Sequence, residues 1–134
     1  PTNLHGASIS FAQSPDLGPA LTVLASTIVN EKSHFYEAER LRIKECDRIS
    51  AMKEELEKLG GHIEEFQDGM DIYGRALHGG VVNSHNDHRV VMSLAMLSTI
   101  VGSDIVIEGA EAVKKSYPNF FEVLASLGGK ISYE

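Results

Sequence analysis

The feature that most restricts how this chain can fold is a pattern that occurs twice. Two glycines separate an amphipathic helix from a short strand at residues 59–63, with the sequence Leu-Gly-Gly-His-Ile, and again at residues 127–131, with the sequence Leu-Gly-Gly-Lys-Ile. A mostly apolar helix and a strand come before each copy, so the order helix, strand, helix, strand is repeated. Repetition of this kind predicts two related units within one architecture.

The first copy predicts a βαβαββ unit. Asp68-Gly69 between two alternating runs is typical of a β-hairpin, and Gly60-Gly61 is typical of a helix end. The predicted elements are a strand over 6–12, a mostly buried helix near 16–28, a strand over 33–38, a helix over 49–59, and hairpin strands over 62–66 and 70–73.

The second copy repeats this order to the end of the chain. Its predicted elements are a strand over 81–84, a mostly buried helix over 90–98, a strand over 103–108, a helix over 120–127 and a closing strand over 130–133. We therefore expect a mixed α/β (α+β) fold with about two βαβαββ repeats, approximately 6–76 and 79–134. Because 134 residues suit a single domain, both units are expected to belong together.

Composition narrows the possible partners. The formal net charge of −7 and the pI near 5.3 argue against non-specific nucleic-acid binding, and no apolar run approaches the ~20 residues of a membrane span. Cys46 is the only cysteine, which excludes an internal disulfide and is compatible with a reducing cytoplasm. The chain does not begin with Met, so we expect a processed product or a piece of a longer protein.

Polar segments stand before the starts of the predicted helices, at 14–16, 44–48, 85–89 and 114–117. If the units stack side by side, these segments line one edge, where helix N-termini add partial positive charge. The candidate donors there are Lys44, Arg48, His88, Arg89 and Lys115, and the candidate proton-transfer carboxylates are Asp16 and Glu45. This arrangement predicts a site for phosphate or carboxylate ligands.

Each of these residues also has an ordinary structural explanation. Asp16 could cap a helix or project from its first turn, and Glu45 could simply complement a helix dipole. The cations could form surface ion pairs, and His88 could be structural. Cys46 could be a packed residue or a reactive thiol. His85 and His88 have the spacing of a weak metal motif without a strong third ligand.

Three segments carry a resemblance to a known family. Residues 41–49 (Leu-Arg-Ile-Lys-Glu-Cys-Asp-Arg-Ile), 86–92 (Asn-Asp-His-Arg-Val-Val-Met) and 115–121 (Lys-Ser-Tyr-Pro-Asn-Phe-Phe) resemble the C-terminal signatures of 5-enolpyruvylshikimate-3-phosphate (EPSP) synthases. Residues 14–16 resemble the aspartate-bearing turn upstream of them. The resemblance implies that residues 1–134 are a partial C-terminal domain of the enolpyruvyl transferase α/β prism type, without the N-terminal domain.

The resemblance also implies an activity for the parent protein. Members of this family transfer the enolpyruvyl group of phosphoenolpyruvate to the 5-hydroxyl of shikimate 3-phosphate by addition and elimination, within aromatic amino acid biosynthesis. No cofactor or metal is implied, and the parent is expected to be a cytoplasmic monomer. Because the substrates are shared with the N-terminal domain, we expect the isolated chain to be inactive.

Residue roles follow from the same resemblance. Asp16 is expected to be the base toward the 5-hydroxyl and to contact shikimate 3-phosphate, and Glu45 to be the acid toward the methylene carbon of phosphoenolpyruvate. Lys44 is expected to contact shikimate 3-phosphate. The expected phosphoenolpyruvate clamp consists of Arg48, Arg89 and Lys115, with His88 in support.

Two other interpretations remain. The sister transferase that acts on UDP-N-acetylglucosamine shares the fold and phosphoenolpyruvate, but it is not expected to combine Lys-Glu-x-Asp-Arg with Asn-Asp-His-Arg. A non-catalytic anion-binding or interaction module built on the same repeat would also fit an isolated chain of this length.

Overall fold

The computed structural model describes residues 6–115 and 117–126. Its helices and strands are, in chain order, β1 (Ser8–Ser10), α1 (Gly18–Ser26), β2 (Lys32–Tyr36), α2 (Arg48–Lys58), β3 (His62–Phe66), β4 (Gly69–Tyr73), β5 (Gly80–Asn83), α3 (His88–Val101), β6 (Ile105–Glu108) and α4 (Phe120–Ser126). Short 3₁₀ segments cover Pro15–Leu17, Glu39–Ile43 and Ala110–Lys115. The predicted Gly128-Gly129 and the closing strand over 130–133 lie outside the described residues.

Two sheets carry the strands. The first has the order β1-β2-β4-β3, in which β1 and β2 are parallel and the other pairs are antiparallel. Strands β5 and β6 form the second sheet as a parallel pair, with α3 between them in sequence. The mixed α/β class and the βαβαββ order of the first unit are therefore confirmed. No helix within the described residues has the length and apolarity needed to cross a membrane.

The hairpin between β3 and β4 is as predicted, but its turn is one residue shorter. Gln67 and Asp68 form the turn, and Gly69 already pairs with Phe66 inside the ladder. Glycine is required there by close packing, because a Cβ on Gly69 would lie 2.0 Å from the carbonyl oxygen of Phe35. Asp68-Gly69 therefore marks the hairpin correctly, but Gly69 is needed for close strand packing and not for the conformation of the turn.

The end of α2 is a Schellman motif built on the predicted glycine pair. Gly60 has φ +96°, which favours glycine. Its amide donates to the Glu57 carbonyl at 3.2 Å, and the Gly61 amide donates to the Leu56 carbonyl at 2.9 Å. These bonds satisfy two carbonyls at the helix end and turn the chain directly into β3.

The polar segment 44–48 does not follow a strand, although the sequence predicts a strand over 33–38 as the element before it. The predicted strand over 33–38 ends at Tyr36, and the 3₁₀ segment Glu39–Ile43 intervenes. Leu41 explains this, since its buried side chain fills the space beside Gly18 and holds the segment against α1. Residues 44–47 therefore form a short loop that leads into α2.

The core lies between the first sheet and helices α1, α2 and α3. Its large buried side chains include Phe11, Phe35, Ile49, Met52, Leu56, Ile63 and Leu94. Helices α1 and α3 are less buried than predicted, because Leu24, Met96 and Ile100 are 43–51% exposed. These three residues line an apolar groove between the two helices, which no described residue fills.

Candidate functional site

A buried arginine organises the candidate site. Arg48 is the first residue of α2, and its side chain is only 2% exposed. Its Nε donates to Asp87 Oδ2 at 2.8 Å, and its Nη2 donates to Asp87 Oδ1 at 3.1 Å. This two-point contact fixes the plane of the guanidinium group, as fork-shaped pairing of arginine and carboxylate does in general.

Asp87 couples this arginine to the next helix. It is fully buried and is the N-cap of α3, where its Oδ1 accepts a hydrogen bond from the Arg89 amide at 2.8 Å. The Cys46 thiol also donates to Asp87 Oδ2, at 3.3 Å. One carboxylate therefore joins the start of α2, the preceding loop and the start of α3.

Both predicted proton-transfer carboxylates reach the same arginine. Glu45 Oε2 accepts from Arg48 Nη2 at 2.6 Å, and Asp16 Oδ1 lies 3.5 Å from Arg48 Nη1. Their side chains remain 42% and 61% exposed, respectively. The helix-cap explanation of Asp16 is wrong, because the N-cap of α1 is Leu17 and lacks a side-chain cap. Asp16 instead lies in the 3₁₀ segment before α1, with its carboxylate turned toward Arg48.

Burial and pairing shift the acid–base properties of the cluster. Burial alone would lower the pKa of Arg48, but its hydrogen bond and ion pair with Asp87, with help from Glu45 and Asp16, raise it. Burial alone would raise the pKa of Asp87, but Arg48 and the Arg89 amide lower it. Arg48 and Asp87 are therefore both charged at neutral pH.

The thiol of Cys46 behaves as a packed residue. Burial and the neighbouring Asp87 carboxylate raise its pKa to about 12. Its side chain packs against the main core. A thiol with this pKa is almost wholly protonated at neutral pH, which argues against the reactive-thiol alternative.

The start of α3 brings two further predicted residues to the cluster. His88 Nδ1 lies 3.5 Å from Glu45 Oε2 and has no hydrogen-bond partner among the described residues. Arg89 Nε is also buried and has no hydrogen-bond partner among the described residues. Buried donors are normally satisfied, so an unpartnered guanidinium nitrogen beside a helix N-terminus is a candidate anion contact.

The two predicted lysines are placed less closely. Lys44 lies in the loop next to Glu45, is half-buried and forms no ion pair with any described residue. Lys115 ends the 3₁₀ segment Ala110–Lys115, before α4, and its side chain lies outside the described part of the structure. The structure therefore brings Asp16 and Glu45 to Arg48 and His88 to Glu45, and it joins Arg89 to them through the backbone bond to Asp87. The contribution of both lysines stays a prediction.

Asp87 is a site residue that the sequence alone does not reveal. It lies within the polar segment 85–89, where a signal for it did exist, since Asp before an apolar-periodic run is a typical N-cap. What the sequence could not show is that the same carboxylate also holds Arg48, 39 positions earlier in the chain.

Two groups of side chains have metal-ligand spacing. They are Glu45, Asp87 and His88, and separately Glu54, Glu55 and His85. In each group a cationic side chain already binds a carboxylate, Arg48 in the first and Lys58 in the second. A metal would have to displace these cations, so we assign neither group as a metal centre.

Fold and site together define a class of protein. It is an α/β protein that gathers guanidinium groups, carboxylates and helix N-termini at one place, an arrangement suited to a small anionic ligand. Comparison with known proteins makes the class specific. Residues 1–124 match the family model described as EPSP synthase (3-phosphoshikimate 1-carboxyvinyltransferase). This chain belongs to the EPSP synthase family.

Curated relatives and solved structures agree with this assignment. A 3-phosphoshikimate 1-carboxyvinyltransferase of Clostridium perfringens is 47% identical over 133 residues, covering 98% of this chain and 31% of the relative. One from Methanocella arvoryzae is 47% identical over 128 residues, covering 96% of this chain and 30% of the relative. The EPSP synthase structure from Acinetobacter baumannii matches with a TM-score of 0.85 and 31% identity, covering 96% of this chain and 31% of that one.

The chain thus spans just under a third of the length of the relatives it matches. Its identity to them extends over nearly all of its own residues, so the family assignment includes the Arg48 cluster. The activity of a whole relative is a separate matter, because two thirds of its length have no counterpart in this chain.

Proposed function

We propose that this chain contributes one half of an active site that transfers the enolpyruvyl group of phosphoenolpyruvate to the 5-hydroxyl of shikimate 3-phosphate, with release of phosphate. The observation that carries the proposal is the convergence of Glu45 and Asp16 on Arg48, which Asp87 joins to the start of α3 and so to Arg89. In the EPSP synthase family, this cluster supplies an acid, a base and anion donors at one place.

The chemistry requires this set of groups. Addition of the hydroxyl to the enolpyruvyl carbon requires a base at the hydroxyl and an acid at the methylene carbon. In the elimination that follows, the new methyl group returns its proton to the carboxylate of the acid and the bond between carbon and the phosphate oxygen breaks. Phosphate leaves with the proton that came from the hydroxyl, and the bond to the 5-oxygen remains. In the proposal Asp16 is the base and also contacts shikimate 3-phosphate, while Glu45 is the acid. Both carboxylates are partly exposed, so a substrate in the open side of the cluster can reach them.

The cations have divided tasks in this proposal. Arg48, Arg89 and Lys115 bind phosphoenolpyruvate, His88 supports them, and Lys44 binds shikimate 3-phosphate. Asp87 and Glu45 already occupy Nε and Nη2 of Arg48, so its Nη1 edge, whose contact with Asp16 is long, is the part available to a substrate. Holding this edge in place before substrate arrives lowers the cost of reorganisation in the transition state.

The proposal includes the remainder of the site and its setting. We propose that residues 1–134 are part of the C-terminal domain, with units near 6–76 and 79–134, and that the parts of the relatives without a counterpart here supply the other substrate contacts. The proposed setting is a monomeric parent in the cytoplasm. The incompletely covered groove beside Leu24 and Met96 supports the view that further residues complete this domain.

The test compares turnover of the 134-residue chain with that of a chimaera. In the chimaera, this chain replaces the matching segment of the Clostridium perfringens relative. Phosphate release is measured with both substrates, and circular dichroism confirms that each protein is folded. We expect turnover by the chimaera and none by the isolated chain. A folded chimaera without turnover would contradict the proposed function, and turnover by the isolated chain would contradict the division of the site.

A further inference from the structure

A second buried carboxylate lies on the same helix as Arg48. Glu55 is 1% exposed and lies seven residues after Arg48, about two helical turns along α2. It accepts hydrogen bonds from the Asn83 amide at 2.8 Å, from His85 Nε2 at 2.6 Å and from Lys58 Nζ at 2.8 Å. Asn83 is the last residue of β5, and His85 lies in the loop 84–87 that leads to Asp87.

Charge on Glu55 is maintained by these donors. Burial alone would raise its pKa, but Lys58, His85 and the Asn83 amide lower it. Glu55 is therefore ionised at neutral pH, and its bonds to the loop are charge-assisted, which makes them roughly twice as strong as neutral ones.

The loop has a conformation that needs such support. His85 and Asn86 are consecutive non-glycine residues with positive φ, 52° and 55°. Left-handed backbone is unfavourable for residues with a side chain, although Asn tolerates it better than most. Local bonds offset part of this cost: the His85 amide donates to Asn83 Oδ1 at 2.7 Å, and the Asp87 amide donates to the Ser84 carbonyl at 3.1 Å. The His85 side chain is attached to α2 through its bond to Glu55, and Glu54 Oε2 lies 3.5 Å from the same Nε2.

We propose that Glu55 and His85 are positioning residues, which hold segment 83–89, from the end of β5 to the start of α3, so that Asp87 faces Arg48 and His88 and Arg89 are fixed beside it. Two residues of α2 then bind this segment. Glu55 binds Asn83 and His85, and Arg48 binds Asp87. The consequence for catalysis rests on the proposed function, because there His88 and Arg89 contact phosphoenolpyruvate. The claim that Glu55 and His85 hold this segment in place does not depend on the proposed function.

The structural part is tested by amide hydrogen exchange on the 134-residue chain. In His85→Ala we expect the amides of Asp87 and Arg89 to exchange at least about tenfold faster, because the loop loses its attachment to α2. His85→Gln can donate from its amide to Glu55 and should restore much of the protection. Lys58→Met is the matched control, since it removes a Glu55 partner outside the loop and should leave both amides as in the parent chain.

If His85→Ala does not fold, Glu55→Gln is the second variant. It keeps an acceptor of the same shape but removes the charge, and we expect faster exchange at Asn83 and Arg89. Unchanged exchange at the loop in a folded His85→Ala or Glu55→Gln chain would overturn the inference. Equal acceleration by Lys58→Met would also overturn it, because the effect would then be a general loss of stability.

The catalytic part is tested in the chimaera. A misplaced loop should raise KM for phosphoenolpyruvate about tenfold or more in His85→Ala, with a smaller change in KM for shikimate 3-phosphate and partial rescue by His85→Gln. Unchanged KM and kcat in His85→Ala would contradict the positioning role. An unsubstituted chimaera without turnover would count against the proposed function alone, and hydrogen exchange would still decide whether Glu55 and His85 hold the loop.

Discussion

At the scale of single residues, the site depends on how a buried arginine is neutralised. Arg48 is almost fully buried, and Asp87 is its one fully buried partner. Asp16 and Glu45 contact the same guanidinium but remain open to solvent. This difference separates a structural carboxylate from two carboxylates that a substrate can reach, and it predicts different effects of substitution.

Asp87→Asn should strongly destabilise the fold, because removing one member of a buried ion pair leaves the other without compensation. We expect a loss of about 3–5 kcal/mol in the free energy of unfolding, measured with urea. Asp16→Asn is the matched control and should cost under about 1 kcal/mol, since its carboxylate is mostly exposed. Equal losses in the two variants would contradict the assignment of Asp87 as the structural partner.

The same pair predicts a dependence of stability on pH. The folded state lowers the pKa of Asp87, so its contribution is fully present above its unfolded pKa of about 3.9 and is lost as the pH falls through the lower folded value. Unfolding free energy of the parent chain should therefore fall more steeply below about pH 4 than that of Asp87→Asn. Parallel pH profiles for the two proteins would show that Asp87 does not have a lowered pKa.

Cys46 should react slowly despite lying between two site residues. With a pKa of about 12, its thiolate fraction at pH 7 is several orders of magnitude below that of a free cysteine. Alkylation by iodoacetamide should be much slower in the folded chain than in the same chain unfolded in urea. A comparable rate in both states would mean that the thiol is activated and could take part in chemistry.

Residue types could be predicted from the sequence better than residue contacts. Polar segments before helices predict Asp16, Glu45, Arg48 and His88 as site residues, and contacts join these four in the structure. Arg89, predicted in the same way, is joined to them by its backbone bond to Asp87. The double task of Asp87 could not be predicted, because its contact with Arg48 joins residues far apart in the chain. Nor could the sequence show that Arg48 is buried, since charged residues at helix starts are usually exposed.

At the scale of elements, the sequence predicts helix and strand ends correctly where contacts between neighbouring residues determine them. Gly60-Gly61 ends α2 through a positive φ and two backbone hydrogen bonds. All of these involve residues within a few positions of one another, so a local sequence signal is enough to predict them. The 3₁₀ segment Glu39–Ile43 was missed because tertiary packing determines it: Leu41 inserts beside Gly18 of α1. Arg42 then connects this segment to the β3–β4 hairpin through Glu65 and the carbonyls of Gln67 and Phe66.

Two glycines should respond differently to the same substitution. Gly69→Ala places a Cβ 2.0 Å from the Phe35 carbonyl oxygen, so strands β2 and β4 must separate. We expect a loss of more than about 2 kcal/mol, at the high end for single substitutions. Gly102→Ala meets no atom within 4 Å and costs only its positive φ of 67°, about 1 kcal/mol. Urea unfolding that gave the reverse order would contradict the packing of the first sheet.

At the scale of the whole molecule, the described residues pack into a main core and a small second cluster of Val91, Ala112 and Val113, and they leave apolar surface between α1 and α3. Met96 is 47% exposed in that groove, whereas Met52 and Met70 are fully buried. The sequence predicts both helices to be mostly buried, and the residues that are more exposed than predicted lie on the sides of α1 and α3 that face the groove. The proposal that further residues complete this domain accounts for the exposed surface.

Methionine oxidation tests this interpretation of the groove. Hydrogen peroxide should oxidise Met96 readily in the isolated chain. If residues of the relative cover the groove, as proposed, oxidation of Met96 should be clearly slower in the chimaera. Met52 serves as the internal control and should stay unoxidised in both proteins. Equal oxidation of Met96 in both would mean that the groove remains open, and peptide mass spectrometry would distinguish the two results.

The central claim is that the Arg48 cluster is one half of a catalytic site, and kcat of the Glu45→Gln chimaera tests it most directly. Gln keeps the shape of the side chain but cannot deliver the proton, so we predict a fall in kcat of about 10²–10⁴-fold. Glu39→Gln, an exposed carboxylate six residues earlier, is the matched control and should leave kcat unchanged. A Glu45→Gln chimaera with kcat equal to that of the control would contradict the account.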